Sequence, residues 1–253
     1  MTRPLRVLSY NVHGCVGGDR RLDPGRVAEV IAEARPDIVA LQELDVGRSR
    51  SGGIDQAHHI AAALEMTSVF HPAMHVAEEK YGDAILTALP MRTVRTGGLP
   101  SVGEPRGAIW CEIEAGGRPL FVFNTHLGVL RRQRRQQVAT LLGEDWLGNA
   151  ACAGRDLIVM GDFNSIPSSP AFARLASRLD LARRPDGRLA GPTFPARLPL
   201  LRLDHIFLSG RLRCLDVEVL RTPLARIASD HLPLLARLES VGEAGGEAGG
   251  GDV

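Results

Sequence analysis

The chain has 253 residues, 44% of them hydrophobic and 23% charged, with 30 basic against 29 acidic side chains. That length suits one large domain or two small ones, either with a substantial core, and the composition excludes disordered, collagen-like and disulfide-scaffold classes for the bulk of the chain. A formal charge of +1 gives no global field pointing to a nucleic-acid or membrane partner, although it leaves room for a local patch.

Short apolar runs of strand length, separated by turn signals, recur from the N-terminus onward. In chain order they are LRVLSY (5–10), DIVALQ (37–42), AILTAL (84–89), AIWCEI (108–113), PLFVFNT (119–125), DLIVM (156–160), DHIFL (204–208), LRCLDVEVL (212–220) and HLPLLARL (231–238). Several are apolar nearly throughout, as expected of strands covered on both faces. Helices are predicted between them. Asp23-Pro24 reads as an N-cap followed by proline in the first turn, leading into a segment with Val27, Val30 and Ile31 on one side. Residues 55–66 and 130–146 have helical spacing, and Ser169-Pro170 opens another helix carrying Phe172, Leu175 and Leu179. Alternating strands and helices followed by a mostly strand C-terminal third argue for an α/β layered domain over residues 1–240. Residues 241–253 (VGEAGGEAGGGDV) are glycine-rich and acidic, and read as a disordered tail.

The N-terminus lacks the apolar core of a signal peptide, and no apolar run approaches the ~20 residues that span a bilayer. Cys15, Cys111, Cys152 and Cys214 are far apart and form no CxxC group, which argues against a zinc site, an iron–sulfur site or a disulfide framework. A cytoplasmic monomer is the expectation.

The informative residues stand where the apolar strands run out. Strands end at Asn11, Glu43, His126 and Asp162 (followed by Asn164), while Asp204 opens one strand and Asp230-His231 precedes the last. Singly, each has a plain explanation: a cap or ion pair for Glu43, an Asx turn for Asp162, a satisfied core imidazole for His126 or His231. Together they are too many charged and amide groups to bury without a shared partner, since an unpaired buried charge costs several kcal/mol. One bound cation would serve several of them. An oxygen-rich set without clustered thiolates favours Mg²⁺ or Mn²⁺, and such an ion beside histidine and carboxylates suits phosphoryl chemistry.

LSYNVHG (8–14), LQELD (41–45), YGDAIL (81–86), NTHL (124–127), GDFN (161–164), LDHI (203–206) and SDHLP (229–233) resemble, in order and spacing, the motifs of the endonuclease/exonuclease/phosphatase (DNase I-like) superfamily. The resemblance covers residues 5–238. It implies a four-layer α/β sandwich, with two stacked, mostly antiparallel sheets flanked by helices and the site at one edge. It implies a divalent-metal-dependent phosphoesterase that hydrolyses a phosphodiester by in-line attack of water. By the same resemblance Glu43 is the principal Mg²⁺ or Mn²⁺ ligand, with Asn11 beside it and Asp230 as a further ligand. Asp162 orients or activates water, Asn164 positions the phosphate, His231 acts at the scissile phosphate, and Asp204 orients His231. His126 stands near the leaving group. Arg106 and Tyr81 are the phosphate contacts. His13 departs from the abasic-site endonuclease branch, which has an acidic residue there. Asp83 replaces an asparagine common among relatives, and would bind a second cation or reshape the pocket edge.

For the substrate, RRQRR (131–135) is either a solvated helix face or a positive rim, and Arg48 and Arg50 stand in a loop from which they could reach a phosphate. With Lys80 the only lysine and 4% aromatic residues, the chain offers few of the phosphate contacts and stacking platforms that nucleic acids require. A small phosphoester or a lipid headgroup is therefore favoured over DNA or RNA. The alternatives are a nuclease, a phosphomonoesterase of a small phosphorylated metabolite or lipid, and, more remotely, a catalytically silent binding domain on the same fold.

Overall fold

The computed structural model describes residues 3–240; the expected tail lies outside the described residues. Twelve strands form two six-stranded sheets. The first contains β1 (Leu5–Asn11), β2 (Ile38–Val46), β3 (Thr67–Val76), β4 (Glu79–Thr87), β11 (Leu212–Val219) and β12 (Leu234–Ser240), ordered β11-β12-β1-β2-β4-β3. The second contains β5 (Met91–Leu99), β6 (Arg106–Ala115), β7 (Arg118–His126), β8 (Leu157–Asp162), β9 (Asp180–Leu181) and β10 (Asp204–Ser209), ordered β5-β6-β7-β8-β10-β9. Only the central pairs β1–β2 and β7–β8 are parallel. Helices α1 (Pro24–Ala34), α2 (Gln56–Ala63) and the short α5 (Ala225–Ala228) cover the first sheet, and α3 (Arg131–Leu141) and α4 (Pro170–Ala176) cover the second.

Three apolar layers hold the two sheets and two helical layers together, and strand alternation explains them. Val7 and Ile38 point between the sheets, where they meet Val122, Ile158 and Ile206. Their neighbours Leu8 and Val39 point outward against Val27 and Ile31 of α1 and Ile60 of α2. Phe123, Val159 and Phe207 likewise point outward, against Val138 of α3 and Phe172 of α4. Central strands are thus buried on both faces, which is why they read as unbroken apolar runs. Burying a Leu, Ile, Val or Phe side chain contributes ~1.5–3 kcal/mol, so these layers dominate stability. Local chemistry sets the ends: Asp23 accepts from the Arg26 N–H at 2.9 Å as the α1 cap, Ser169 caps α4, and prolines open both helices.

The predicted helix over 130–146 stops at Leu141, because Gly143 N–H closes a turn on the Thr140 carbonyl and residues 143–149 fold into successive turns. The helix expected over 55–66 runs only from Gln56 to Ala63. The last strand begins at Leu234 rather than His231, since Pro233 has no N–H to donate to a ladder. Three strands were not anticipated, β3, β5 and β9, and all three lie at sheet edges. Among the described residues no helix is long and apolar enough to cross a membrane, and the four cysteines are free thiols.

Candidate functional site

β1, β2, β7 and β8 end, and β4, β6, β10 and β12 begin, at one end of the sandwich. Asn11 and Glu43 stand there on the parallel pair of the first sheet, and His126 and Asp162 stand on the parallel pair of the second. Two local features place them. Between Leu41 and Leu44 the pairing of β2 with β4 slips, and Glu43 sits in that bulge with φ 64°. A non-glycine residue in this region costs about 1–3 kcal/mol and is held by its surroundings. In the second sheet Gly161, at φ 149°, lies so close to β7 that a Cβ would stand 1.9 Å from the Thr125 carbonyl oxygen. Only glycine permits the approach that puts Asp162 opposite His126.

The amide of Asn11 spans the sheets, its Nδ2 donating to Glu43 Oε1 at 2.9 Å and Asp162 Oδ2 at 3.0 Å. Its Oδ1 accepts the His13 backbone N–H at 3.0 Å. Two imidazoles converge on the same Asp162 oxygen, with His126 Nε2 at 3.5 Å and His231 Nε2 at 3.6 Å. The other Asp162 oxygen accepts the Asn164 backbone N–H at 2.8 Å. Asn164 Nδ2 donates to the Leu127 carbonyl at 2.9 Å and lies 3.2 Å from His126 Nε2.

The histidines differ in charge for reasons the surroundings supply. His231 Nδ1 bonds Asp204 Oδ2 at 2.9 Å. Burial opposes charge on this ring, but Asp204, Asp162 and Asp230 outweigh it and lift the pKa to about 10. Burial lowers His126 to about 3, an effect Asp162 opposes and Arg106 reinforces. Arg106 Nη1 lies 3.1 Å from His126 Nδ1. Because guanidinium only donates, the network assigns the His126 proton to Nε2, on the side of Asp162.

Asp83 is buried rather than at the pocket edge, and its carboxylate accepts the Glu43 backbone N–H. Burial raises its pKa to about 8, against the pull of Arg106. In its neutral form it presents the donor and acceptor that an asparagine would. Asp230 makes no contact with Glu43; its Oδ2 binds His13 Nδ1 at 2.8 Å, a contact that raises the His13 pKa. His13 therefore belongs to the site, although sequence reasoning saw in it only a departure. Glu104 was also missed. It pairs with Arg106 and steadies the guanidinium.

A cavity of about 510 Å³ adjoins Glu43, lined also by His13, Arg48, Arg50, Tyr81 and Glu104. The two arginines do not stand free in it. Arg50 forms two bonds to buried Asp45, at 2.7 and 2.8 Å, and Arg48 lies 3.4 Å from Asp45 and 3.7 Å from Glu79. Both guanidiniums lie over the Tyr81 ring, 5.8 and 5.6 Å from its centroid. Arg48 and Arg50 thus shape the wall instead of reaching out for phosphate. A second cavity of about 530 Å³, between β9 and β11, contains none of the site residues.

Residues 8–231 match the profile of the Endonuclease/Exonuclease/phosphatase family. The chain belongs to that family. It is 30% identical over 249 residues to the uncharacterized protein YbhP of Escherichia coli (strain K12), spanning 92% of this chain and 96% of that one. In fold it is similar to the endonuclease/exonuclease/phosphatase of Beutenbergia cavernae DSM 12333, with a TM-score of 0.75 and 21% identity over 95% of this chain and 72% of that one. It is also similar to the Bacteroides thetaiotaomicron mannosyl-6-phosphatase Bt3783, with a TM-score of 0.73 and 19% identity over 93% and 99% of the two chains. The four-layer architecture is the one these endonuclease/exonuclease/phosphatase proteins share.

Whether a divalent cation suits this family member's residues is tested by their chemistry. Glu43, Asp162, Asp204 and Asp230 gather at one end of the molecule, where the nearby Arg106 bonds Glu104 and His126 instead of any of the four. Asp204 Oδ1 is buried without a hydrogen-bond partner. Ligand atoms of Asp162, Asp204 and His231 lie within 4.8 Å of one another. An excess of carboxylate oxygen without thiolates fits a hard divalent cation.

Proposed function

We propose that this protein is a divalent-metal-dependent phosphoesterase that hydrolyses a phosphodiester by in-line attack of water. The observation that carries the reading is the convergence of Asn11, His126 and His231 on one oxygen of Asp162, beside the partly open Glu43 carboxylate. Glu43 and Asn11 would hold Mg²⁺ or Mn²⁺, with Asp230 at the rim. The ion supplies positive charge that neutralises the phosphoryl oxygens.

The chain's own residues divide the remaining work. Asp162, fixed by four neighbours and drawn toward two imidazoles, is placed to orient the attacking water and accept its proton. His231, held as an imidazolium by Asp204, offers Nε2–H to a phosphoryl oxygen as charge builds there. Neutral His126, its proton on Nε2, lies where the leaving oxygen would emerge, and Asn164 beside it would help position the phosphate. Arg106 acts through His126 and Glu104, so its part is to position the ring more than to bind phosphate.

The confined cavity beside Glu43 favours a small phosphoester or a lipid headgroup over a nucleic-acid strand, and its lining supports this. The arginines in it, Arg48 and Arg50, are committed to Asp45 and Glu79 and leave no free guanidinium there to track a second run of phosphates. The test is turnover of bis-p-nitrophenyl phosphate with and without EDTA. Glu43→Ala and His231→Ala are each expected to lose roughly three decades of kcat, the scale of a removed transition-state interaction. Near-normal turnover by both, or insensitivity of the wild type to EDTA, would overturn the reading.

A further inference from the structure

The large apolar side chains that stand exposed among the described residues are not scattered. Val102 is 76% exposed, Leu200 70%, Leu198 67%, Val129 65% and Leu130 55%, and Ile227 is also exposed. Val102 lies between β5 and β6, Val129 and Leu130 follow β7, Leu198 and Leu200 precede β10, and Ile227 precedes β12. All of these connections are at the end of the sandwich that carries the site. Of the other exposed large aliphatics, Leu22, Ile166 and Leu201 sit on loops at this end and Val76 closes β3 there; Ile227 is on the short α5, and none lies at the far end. Isolated exposed leucines need no explanation, but an apolar ring confined to one mouth does.

Positive charge adds to this end without being confined to it, since Arg35, Arg118 and Arg155 at the far end are also exposed and without an ion pair among the described residues. Arg131, Arg132 and Arg135 project from the first turns of α3, directly after Val129 and Leu130, and Arg20, Arg197 and Arg221 stand on neighbouring loops. None of these six makes an ion pair among the described residues. Several acids of the rim are already engaged, Asp19 with Arg26, Asp45 with Arg50, Glu79 with Arg48 and Glu104 with Arg106, while Glu78 in the β3–β4 turn makes no ion pair among the described residues. Arg134 folds back onto the Gly128 and Val129 carbonyls, which fixes the loop that presents Val129 and Leu130.

We propose that this rim docks on a bilayer surface containing anionic phospholipid, so that the phosphoester reaches the site from the membrane. A flat partner is the one shape that touches apolar tips from several separate loops at once. A protein seated there would seal the mouth, whereas a bilayer brings phosphoester headgroups to it. Aliphatic tips with unpaired arginines behind them suit insertion at the headgroup–acyl boundary, the arginines meeting lipid phosphates. The proposal rests on the phosphoesterase reading for what happens to the lipid, but not for the docking itself.

Sedimentation of the full-length protein with vesicles tests it, because binding is read without turnover. Phosphatidylcholine vesicles carrying a minority of phosphatidylglycerol are expected to carry the protein down at low salt and to release it at high salt. Pure phosphatidylcholine is expected to bind it only weakly. Replacing Arg131, Arg132 and Arg135 together with glutamine should weaken binding by roughly two decades, at about fivefold per arginine. Leu198→Ser with Leu200→Ser should weaken it at least about tenfold. Both variants change exposed residues outside the site, so turnover of soluble bis-p-nitrophenyl phosphate should match the wild type. Equal vesicle binding by wild type and variants would overturn the proposal, as would absence of binding to the anionic vesicles. A wild-type dimer that Leu198→Ser with Leu200→Ser converts to monomer would also overturn it, making the rim a contact between copies. Loss of bis-p-nitrophenyl phosphate turnover in the wild type alone would count against the phosphoesterase reading and leave the docking result standing.

Discussion

The two sheets have the same plan. β11-β12-β1-β2-β4-β3 and β5-β6-β7-β8-β10-β9 run in matching order, each with one parallel pair at its centre and a helix joining that pair. Equivalent strands deliver site side chains to the same end: Asn11 closes β1 as His126 closes β7, and Asp162 pairs with His126 while Glu43 stands one residue beyond Gln42, the partner of Asn11. Their surroundings differ. Glu43 keeps a quarter of its side chain open to the cavity and bonds one amide, while Asp162 is almost wholly buried among an amide, a backbone N–H and two imidazoles. One topology thus yields a partly open carboxylate in one half and a buried, fully bonded one in the other, the two to which the proposed function gives the cation and the proton. Exposure and neighbours decide the difference, not position in the sheet.

That division can be broken directly. Asp162→Asn is expected to lose roughly three decades of kcat at every metal concentration. Glu43→Gln should lose a comparable amount at low Mn²⁺ but recover part of it as Mn²⁺ is raised. Identical metal responses in the two variants would erase the proposed distinction. A smaller effect, about two decades, is expected for Asp204→Asn, which leaves His231 unoriented. Since Asp204 is among the carboxylates that raise the His231 pKa, its loss should also move the alkaline limb of the pH–rate profile to lower pH. An unmoved limb would remove His231 from the role of imidazolium.

The second half also carries a buried neutral imidazole outside the site. His205 lies beneath Phe172 and bonds the Ser165 carbonyl at 2.7 Å, and burial lowers its pKa from 6.5 to about 4. The unfolded chain takes up this proton below pH 6.5, and the native protein does so only near 4. The stabilisation is complete above 6.5 and is lost as pH falls through that window, by about 3 kcal/mol in all. Urea unfolding of wild type and His205→Gln across this range should show a shallower pH dependence in the variant; parallel curves would contradict it. The smallest effect concerns the contact between the halves. Asn124 Nδ2 donates to the Leu41 and Ala84 carbonyls, both at 2.8 Å, and its oxygen accepts from Gln42 at 2.8 Å. Asn124→Leu strands these groups and should cost about 1–3 kcal/mol in the same assay. A loss below the error of the measurement would mean that water takes the amide's place.

The sequence made the centre of each sheet legible and left the margins obscure. Runs such as LIVM at 157–160 have no polar alternation because helices and the partner sheet cover both faces. β3 contains Pro72 and β5 reads MRTVRTGGL, because an edge strand has one free flank and a partly solvated face. Asn11, Glu43, His126, Asp162, Asp204 and His231 were legible because polar residues at the ends of apolar strands stand out. The pairing of His13 with Asp230 was not, because it joins a loop after β1 to one before β12 and no spacing records it. Arg48 and Arg50 misled for the same reason. Their partners Asp45 and Glu79 determine where the guanidiniums go.

The Gln42–Asn124 amide pair has a consequence for assembly. Aliphatic surfaces slide over one another at small energetic penalty, but two amides buried between them close their bonds at a single offset. Gln42 is the residue before Glu43, and Asn124 lies two before His126. The pair works as a dowel between the two halves, so that any slip of one sheet across the other is felt first as an unbonded amide, before it can change the distance from Glu43 to His126.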